Sequence, residues 1–227
     1  MRSEAAAVPG ESLLTRYGLP PADIERLSLA RIEDLAGTRL PDDPRLRHIA
    51  RRVLYAAGDP DLADSLRLHG DVATAGMAAL RSRRAVIVDV SMVAAGLRKD
   101  LLARLGCCLV VAVDQPQVPE AAHAARITRS AMGIRLLEGR LRGALVAIGN
   151  APTAVLELLD LIDAGVARPA AIVGMPVGLV AAAESKDELV LRSTPYATVL
   201  GTRGGSSLAA AAVNALLELA VEGDLGG

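Results

Sequence analysis

The sequence predicts an α/β fold: a single domain with a mainly parallel five-stranded sheet flanked by helices and an N-terminal helical layer. The first third of the 227-residue chain shows helical patterns and no strand signal. After Arg84, short continuous apolar runs alternate with helical segments, as expected for parallel strands buried on both faces and joined by crossovers. No internal repeat or long linker divides the chain, so we expect one domain over residues 1–227.

The N-terminal third predicts three helices after an unstructured start. Residues 1–10 are small and polar without periodicity, and we expect them to be disordered. A helix is expected over about 20–35, because its two leading prolines suit a first helical turn. A second helix is expected over about 44–57, where Gly58 provides a stop, and a third over about 72–81.

The remaining two thirds predict five strands, each an apolar run with helical segments between. Continuous apolarity, rather than alternation, is typical of strands covered by helices on both faces. The predicted strands are 85–90, 107–113, 144–148, 170–173 and 197–200.

Three glycine-punctuated junctions, at residues 148–153, 174–178 and 201–207, follow the last three predicted strands. Where a strand turns sharply into a helix, backbone N–H groups can hold an anion, and glycine lets a ligand approach them closely. The carboxyl ends of parallel strands meet at one edge, where open α/β folds bind ligands. The junctions therefore predict a site for a large anionic ligand. For 201–207, the alternative that its glycines only permit a tight turn is equally consistent with the sequence.

Composition narrows the possible partners. The formal net charge of -1 gives no reason to expect nucleic acid or an anionic membrane surface. No apolar run reaches the roughly 18–20 residues of a membrane span, and no signal-peptide core is present. Cys107 and Cys108 are adjacent in an apolar run, and we interpret both as reduced core residues of a cytoplasmic protein. His48, His69 and His123 are widely separated, so no metal site is expected.

Other patterns have plain structural interpretations. The charged run 184–188 predicts a solvated helix face. Tyr55 and His48 lie seven residues apart, on almost the same helix face at about 10 Å, and spacing alone favours packing or surface roles for both. The glycine-rich fingerprints of dinucleotide sites and phosphate loops are absent, which leaves nucleotide binding as a third hypothesis.

Several spaced motifs nevertheless occur in a defined order. They are Gly-Asn-Ala-Pro-Thr-Ala at 149–154, Gly-Met-Pro-Val-Gly at 174–178, Ala-Ala-Glu-Ser-Lys at 182–186, Gly-Gly-Ser at 204–206 and Ala-Val-Asn-Ala-Leu at 212–216. Further matches are Ile24, Glu25, Ser28, Asp89, Met92, Gly96 and Ile-Thr-Arg at 127–129. Over about residues 17–220 the sequence resembles the precorrin-8X methylmutases of cobalamin biosynthesis.

The resemblance implies an isomerase that moves a methyl group from C-11 to C-12 of a tetrapyrrole. The substrate is precorrin-8X or cobalt-precorrin-8, and the product is hydrogenobyrinic acid or cobyrinic acid. It also implies no cofactor and a homodimer with active sites near the subunit interface. The carboxylate arms of the substrate suit the N–H-rich junctions. The implied substrate-binding residues are Ser28, Arg129, Gly149, Asn150, Thr153, Gly178, Arg203, Gly204, Gly205 and Ser206.

The implied catalytic position departs from the family pattern. The catalytic histidine of the family follows Arg-Val-Ile, whereas Tyr55 follows Arg-Val-Leu here. A phenol is a weaker acid than an imidazolium, so transfer of its proton is harder near neutral pH. Three outcomes are open: Tyr55 donates the proton, His48 reaches the ring instead, or the chain is a corrinoid-binding paralogue that does not isomerise its ligand.

Overall fold

The computed structural model describes residues 12–223, and these form a six-stranded sheet with helices on both faces. In spatial order the strands are β1-β6-β5-β4-β2-β3. β2 to β6 are mutually parallel, and β1 is antiparallel to β6. The strands are β1 (Leu66–Leu68), β2 (Val86–Val88), β3 (Leu109–Val111), β4 (Leu145–Ile148), β5 (Ala171–Gly174) and β6 (Tyr196–Val199).

The predicted α/β class and mainly parallel sheet are confirmed, but the count of five strands was wrong. β1 lies in the first third of the chain, where no strand was expected. It is only three residues long, and Arg67 at its centre is exposed while its neighbours are half-buried. An edge strand this short produces no apolar run, so the sequence pattern does not reveal it. The Arg67 guanidinium donates to the carbonyl oxygens of Asp64 and Leu66.

The helices confirm the three predicted in the N-terminal third. Within the described residues, the α-helices are α1 (Leu13–Tyr17), α2 (Pro21–Ala36), α3 (Pro44–Ala57), α4 (Val72–Arg81), α5 (Ser91–Ala95), α6 (Lys99–Leu105), α7 (Val118–Ala125), α8 (Arg129–Leu136), α9 (Pro152–Asp163), α10 (Ala182–Val190) and α11 (Ser206–Glu222). None of these helices has the length and apolar content needed to cross a bilayer. The expected disorder of residues 1–10 lies outside the described part of the chain.

Two hydrophobic cores lie on opposite faces of the sheet, because consecutive strand residues point to opposite sides. Val86 and Val88 pack on the face covered by α11, whereas Ile87 packs on the face covered by α8 and α9. The predicted N-terminal helical layer is present, and one of its helices contacts the sheet. α3 packs mainly on α11 and α2 on α3, while α4 contacts both α11 and the central strands.

The cysteines correct another expectation. β3 begins at Leu109, so Cys107 and Cys108 precede it instead of lying within it. Both are free thiols, but Cys107 is only half-buried and Cys108 is exposed. Cys107 packs at the margin of the core and Cys108 lies outside it, because the apolar run extends beyond the strand that it produces.

Candidate functional site

A cavity lined by the predicted catalytic residue lies between α2 and the C-terminal end of α3. Its volume is about 710 Å³, and both Ser28 and Tyr55 line it. Its walls are mainly apolar, with Ile24 and Leu27 contributed by α2. The Ser28 hydroxyl donates to the Ile24 carbonyl at 2.6 Å. Two of the predicted site residues are therefore brought together.

Tyr55 lies in this cavity because of how α3 begins and ends. The Asp43 carboxylate accepts from the first-turn amides at the N-terminus, and Pro44 occupies the first turn. Gly58 ends the helix in the left-handed conformation, at φ 62°. Ile49, Ala50 and Val53 of α3 are buried, and the buried Leu54 lines the cavity beside Tyr55. Tyr55, in the last turn, is 37% exposed, and its hydroxyl forms no hydrogen bond with the other described residues.

Two smaller cavities adjoin the first around the last turn of α3. One, of about 310 Å³, is lined by Ala56, Arg203 and Ser207 among others, and we name it the Arg203 cavity. The other, of about 290 Å³, is lined by Tyr55, Ala56, Ser207 and Asn214 among others, and we name it the Asn214 cavity. Tyr55 lines both the large cavity and the Asn214 cavity. Ala56 and Ser207 line both of the small cavities. The three cavities together form what we call the α3 site.

Arg203 is held at the rim of this site by Asp59, which was not among the predicted site residues. The Asp59 carboxylate accepts from the Arg203 guanidinium at 2.5 Å, and Asp59 lies four residues beyond Tyr55. The Arg203 side chain remains 49% exposed, so its other donors can meet a carboxylate of a ligand. In the sequence, the sign of this role is that Asp59 directly follows Gly58, the glycine that ends α3.

The junctions at 174–178 and 201–207 pack directly against each other at the carboxyl edge of the sheet. The Gly205 amide donates to the Met175 carbonyl at 2.8 Å, and the Gly178 amide to the Thr202 carbonyl at 3.1 Å. A Cβ at Gly204 would lie 2.5 Å from the carbonyl oxygens of residues 175 and 176, so this approach requires glycine. These two junctions converge, as expected. Some of their amides donate to carbonyl oxygens of the other junction, however, and are therefore not free for a ligand.

The junction at 148–153 already holds a carboxylate of the protein itself. The Asp89 side chain, which is fully buried, accepts from the amides of Gly149, Asn150 and Ala151 at 3.0, 2.9 and 3.0 Å. Burial raises the pKa of Asp89, and these hydrogen bonds oppose the rise. The amides that were expected to be free are therefore occupied. Gly149 is buried as well. A Cβ there would lie 2.7 Å from Cα of Ser206, so this close approach requires glycine.

Two predicted contacts lie away from the α3 site. Thr153 at the start of α9 hydrogen-bonds Thr128 at 2.7 Å, and both line a separate cavity of about 440 Å³ on the other face of the sheet. Arg129 begins α8 immediately after Thr128, is exposed, and lines none of the cavities of the α3 site. A single copy of the chain therefore divides the predicted contact set between two places.

His48 faces α11 instead of the cavities around Tyr55. Its Nε2 lies 3.0 Å from a Glu218 carboxylate oxygen, and Arg52 and Arg98 approach the same carboxylate at 3.3 and 3.7 Å. Burial acts to raise the pKa of Glu218, but the His48 hydrogen bond and the neighbouring cations outweigh it and lower the pKa. His48 lines none of the three cavities, so this geometry does not favour it as a proton donor to their contents.

Lys186 overturns the expectation of a fully solvated helix face at 184–188. Glu184, Asp187 and Glu188 are exposed, but Lys186 has no exposed surface. Its Nζ donates to the carbonyl oxygens of Pro176 at 3.0 Å and of Arg203 at 2.7 Å. Burial lowers the pKa of Lys186 to about 8. The signal missed in the sequence was helical spacing, since Ala182, Lys186 and Leu189 share the buried face of α10.

We predict that the stability contribution of Lys186 rises with pH. Its pKa is about 8 in the folded protein against 10.5 ordinarily, so between these values the unfolded chain binds more protons. The free energy of unfolding of the wild type should therefore gain about 2 kcal/mol relative to Lys186→Met between pH 8 and pH 10. Urea denaturation at pH 8 and pH 10 measures the difference. A Lys99→Met control, which alters the other lysine at an exposed position, should show no such trend.

Metal-holding groups are not found in the structure between residues 12 and 223. No three histidine, cysteine, aspartate or glutamate side chains gather there in positions that could bind an ion. The chemistry available at the α3 site is instead that of an apolar cavity with a phenol, a serine hydroxyl and a fixed guanidinium at its walls and rim.

Comparison with known proteins places this geometry in context. The precorrin-8X methylmutase family model matches residues 23–219. A precorrin-8X methylmutase of Pseudomonas aeruginosa is 43% identical over 85% of this chain and 93% of its own length. A cobalt-precorrin-8 methylmutase of Priestia megaterium is 38% identical over 89% and 90%, respectively. The crystal structure of a precorrin-8X methylmutase from Thermus thermophilus superposes with a TM-score of 0.80 at 34% identity, covering 89% of this chain and 99% of that one. The chain belongs to the precorrin-8X methylmutase family.

Proposed function

We propose that the protein is an isomerase of cobalamin biosynthesis that moves a methyl group from C-11 to C-12 of precorrin-8X or cobalt-precorrin-8. The product is hydrogenobyrinic acid or cobyrinic acid. The observation that carries the proposal is that Tyr55 and Ser28 line one cavity and Arg203 a neighbouring one, around the last turn of α3, in a chain of this family. Both named substrates occur among the relatives, so we propose the reaction for the pair.

The α3 site offers separate surfaces to the two parts of such a substrate. The apolar wall formed by Ile24 and Leu27 suits the face of a tetrapyrrole ring, and water is displaced from both when they meet. Arg203 at the rim suits a carboxylate arm, because a guanidinium pairs with a carboxylate through charge-assisted hydrogen bonds. We propose that the ring enters the large cavity with its arms directed toward the 174–178 and 201–207 junctions.

Tyr55 is our proposed proton donor. Its hydroxyl is unengaged within the described residues and lines two of the three cavities. Protonation of the ring draws electron density from the carbon framework, which eases the sigmatropic shift of the methyl group to the adjacent carbon. The proton returns to the phenolate oxygen as the product forms, so the reaction is a net isomerisation. The fixed walls keep the ring in the reactive orientation throughout.

We also propose that the enzyme is a cytoplasmic homodimer with its sites near the subunit interface, and that it needs no cofactor. Arg129 and Thr153 lie away from Tyr55 within one chain, and a second copy could bring them to the substrate. Leu179 and Val180, which are 91% and 84% exposed, provide apolar surface for such a contact. Sedimentation at micromolar concentration should give the mass of a dimer; a monomer would contradict this part of the proposal.

Incubation with each substrate tests the reaction directly. Purified protein mixed with precorrin-8X, and separately with cobalt-precorrin-8, should change the absorption spectrum of the tetrapyrrole to that of its product at a rate proportional to protein concentration. Binding without spectral conversion would contradict the isomerase and indicate a corrinoid-binding protein. Retention of a dinucleotide without affinity for either tetrapyrrole would contradict both.

A further inference from the structure

Lys186 lies beneath the two junctions that form the rim of the α3 site. Its ammonium group joins the carbonyl of Pro176 in one junction to the carbonyl of Arg203 in the other. No other side chain among the described residues donates to both junctions. It is fully buried, and neither hydrogen-bond partner is a carboxylate.

Packing alone does not account for this arrangement. A buried ammonium loses its hydration, and a methionine of similar volume would fill the space without that penalty. The chain contains only two lysines, Lys99 and Lys186, so the buried one is not one of many interchangeable cations. What lysine provides here is donors that reach two carbonyl oxygens on different loops at once.

The two contacts also determine where Arg203 lies. Lys186 holds the Arg203 backbone from below through its carbonyl, and Asp59 holds the Arg203 guanidinium at the rim. Pro176, the second partner of Lys186, packs on Gly204, the residue after Arg203. If Lys186 were lost, the backbone hydrogen bonds from Gly205 to Met175 and from Gly178 to Thr202 would remain, but the carbonyl of Arg203 would lose its donor and the Arg203 main chain would be less firmly held.

We propose that Lys186 is a positioning residue for substrate binding: it holds the 174–178 and 201–207 junctions together, so that Arg203 stays aimed at a substrate carboxylate. This inference rests on the function proposed above. Lys186 does not touch the substrate, because it has no exposed surface. Its effect should therefore fall on substrate affinity through Arg203 and leave proton donation by Tyr55 in place.

Lys186→Met tests the proposal, with Lys99→Met as the matched control at an exposed position. For Lys186→Met we expect KM for precorrin-8X to rise about tenfold, equivalent to about 1.4 kcal/mol of binding free energy, with kcat within about threefold of wild type. Hydrogen exchange without substrate should be about tenfold faster at the amides of Gly178 and Gly205, with β4 unchanged. The control should match the wild type in both measurements.

Each alternative predicts a different result. A merely structural role predicts faster exchange throughout the sheet and a lower kcat at unchanged KM, and either finding would overturn the proposal. So would unchanged exchange at both loops. If Lys186→Met does not fold, Lys186→Gln takes its place: it keeps donors, but its shorter side chain cannot serve both carbonyl oxygens, so the same direction of change is expected. A wild type that neither binds nor converts a tetrapyrrole would overturn the proposed function and the substrate role of Lys186, and exchange would then separately report whether the loops are held.

Discussion

Tyr55→Phe is expected to lower kcat for methyl migration at least about 100-fold, the lower end of what a positioned general acid contributes. The substitution removes only the hydroxyl and keeps the ring that lines both cavities. Neither neighbouring polar residue replaces it. The Ser28 hydroxyl donates to its own helix, and His48 pairs with Glu218 on the side of α3 that faces α11.

Single-turnover absorption measurements with precorrin-8X separate this effect from binding. The dissociation constant should stay within about threefold of wild type, because the apolar walls and Arg203 are untouched. Tyr17→Phe is a matched control, since Tyr17 is an exposed tyrosine on α1, outside the α3 site. A Tyr55→Phe variant with wild-type kcat would exclude Tyr55 as the acid.

The reverse comparison uses Tyr55→His, which restores the residue type that the family resemblance leads one to expect. If the wild type is an isomerase, the histidine variant should also be active, with a rate that falls as pH rises above the range in which imidazole is protonated. Activity confined to the histidine variant would instead identify the natural chain as a corrinoid-binding protein.

The largest effect on stability is expected from Asp89→Ala. The substitution leaves the amides of Gly149, Asn150 and Ala151 without their acceptor, and two of these three hydrogen bonds are fully buried. An unsatisfied buried donor costs about 1–3 kcal/mol, so the free energy of unfolding should fall by about 4 kcal/mol. For a chain of this size that corresponds to a decrease in Tm of roughly 10 °C.

Thermal and urea denaturation measure this loss. Asp89→Asn should lie between wild type and alanine, because its amide oxygen still accepts while its NH2 group faces other donors. Asp114→Ala is the control: Asp114 is exposed and accepts from the Ser91 hydroxyl at the surface, and its loss should cost less than about 1 kcal/mol. A change below about 1 kcal/mol in Asp89→Ala would show that the amides find other partners.

Much of the fold could be predicted because its signals are local. The continuous apolarity of 144–148 and 170–173 reflects burial on both faces; β4 lies within the first run, and β5 extends one residue beyond the second. Pro44 and Gly58 similarly determine where α3 begins and ends. β1 could not be predicted, because an edge strand pairs on one side only and Leu66–Leu68 needs no apolar run.

Only part of the arrangement of the predicted site residues could be anticipated from the sequence, and their roles stay predictions. Of the residues that the motifs point to, Ser28 and Tyr55 line one cavity and Arg203 lines a neighbouring one. The motif order did not show that Asp89 occupies the amides of the first junction, since that contact joins groups about 60 residues apart in the chain. Nor did it show that Lys186 is buried, because a lysine in a run with three acidic residues matches a surface pattern until the tertiary contacts of α10 are known.

β1 has a consequence for aggregation of the protein at high concentration. It covers the side of β6, the strand that leads into the 201–207 junction, and so becomes the outer border of the sheet. An open border of unpaired backbone groups invites strands of neighbouring molecules to add on, which is how aggregates grow. Here the border is three residues long, carries Arg67, and has two nearby carbonyl oxygens already bonded to its guanidinium. β1, which the sequence pattern did not predict, thus leaves few free backbone groups with which another chain could pair. It therefore protects the edge of the sheet beside the 201–207 junction from misassembly.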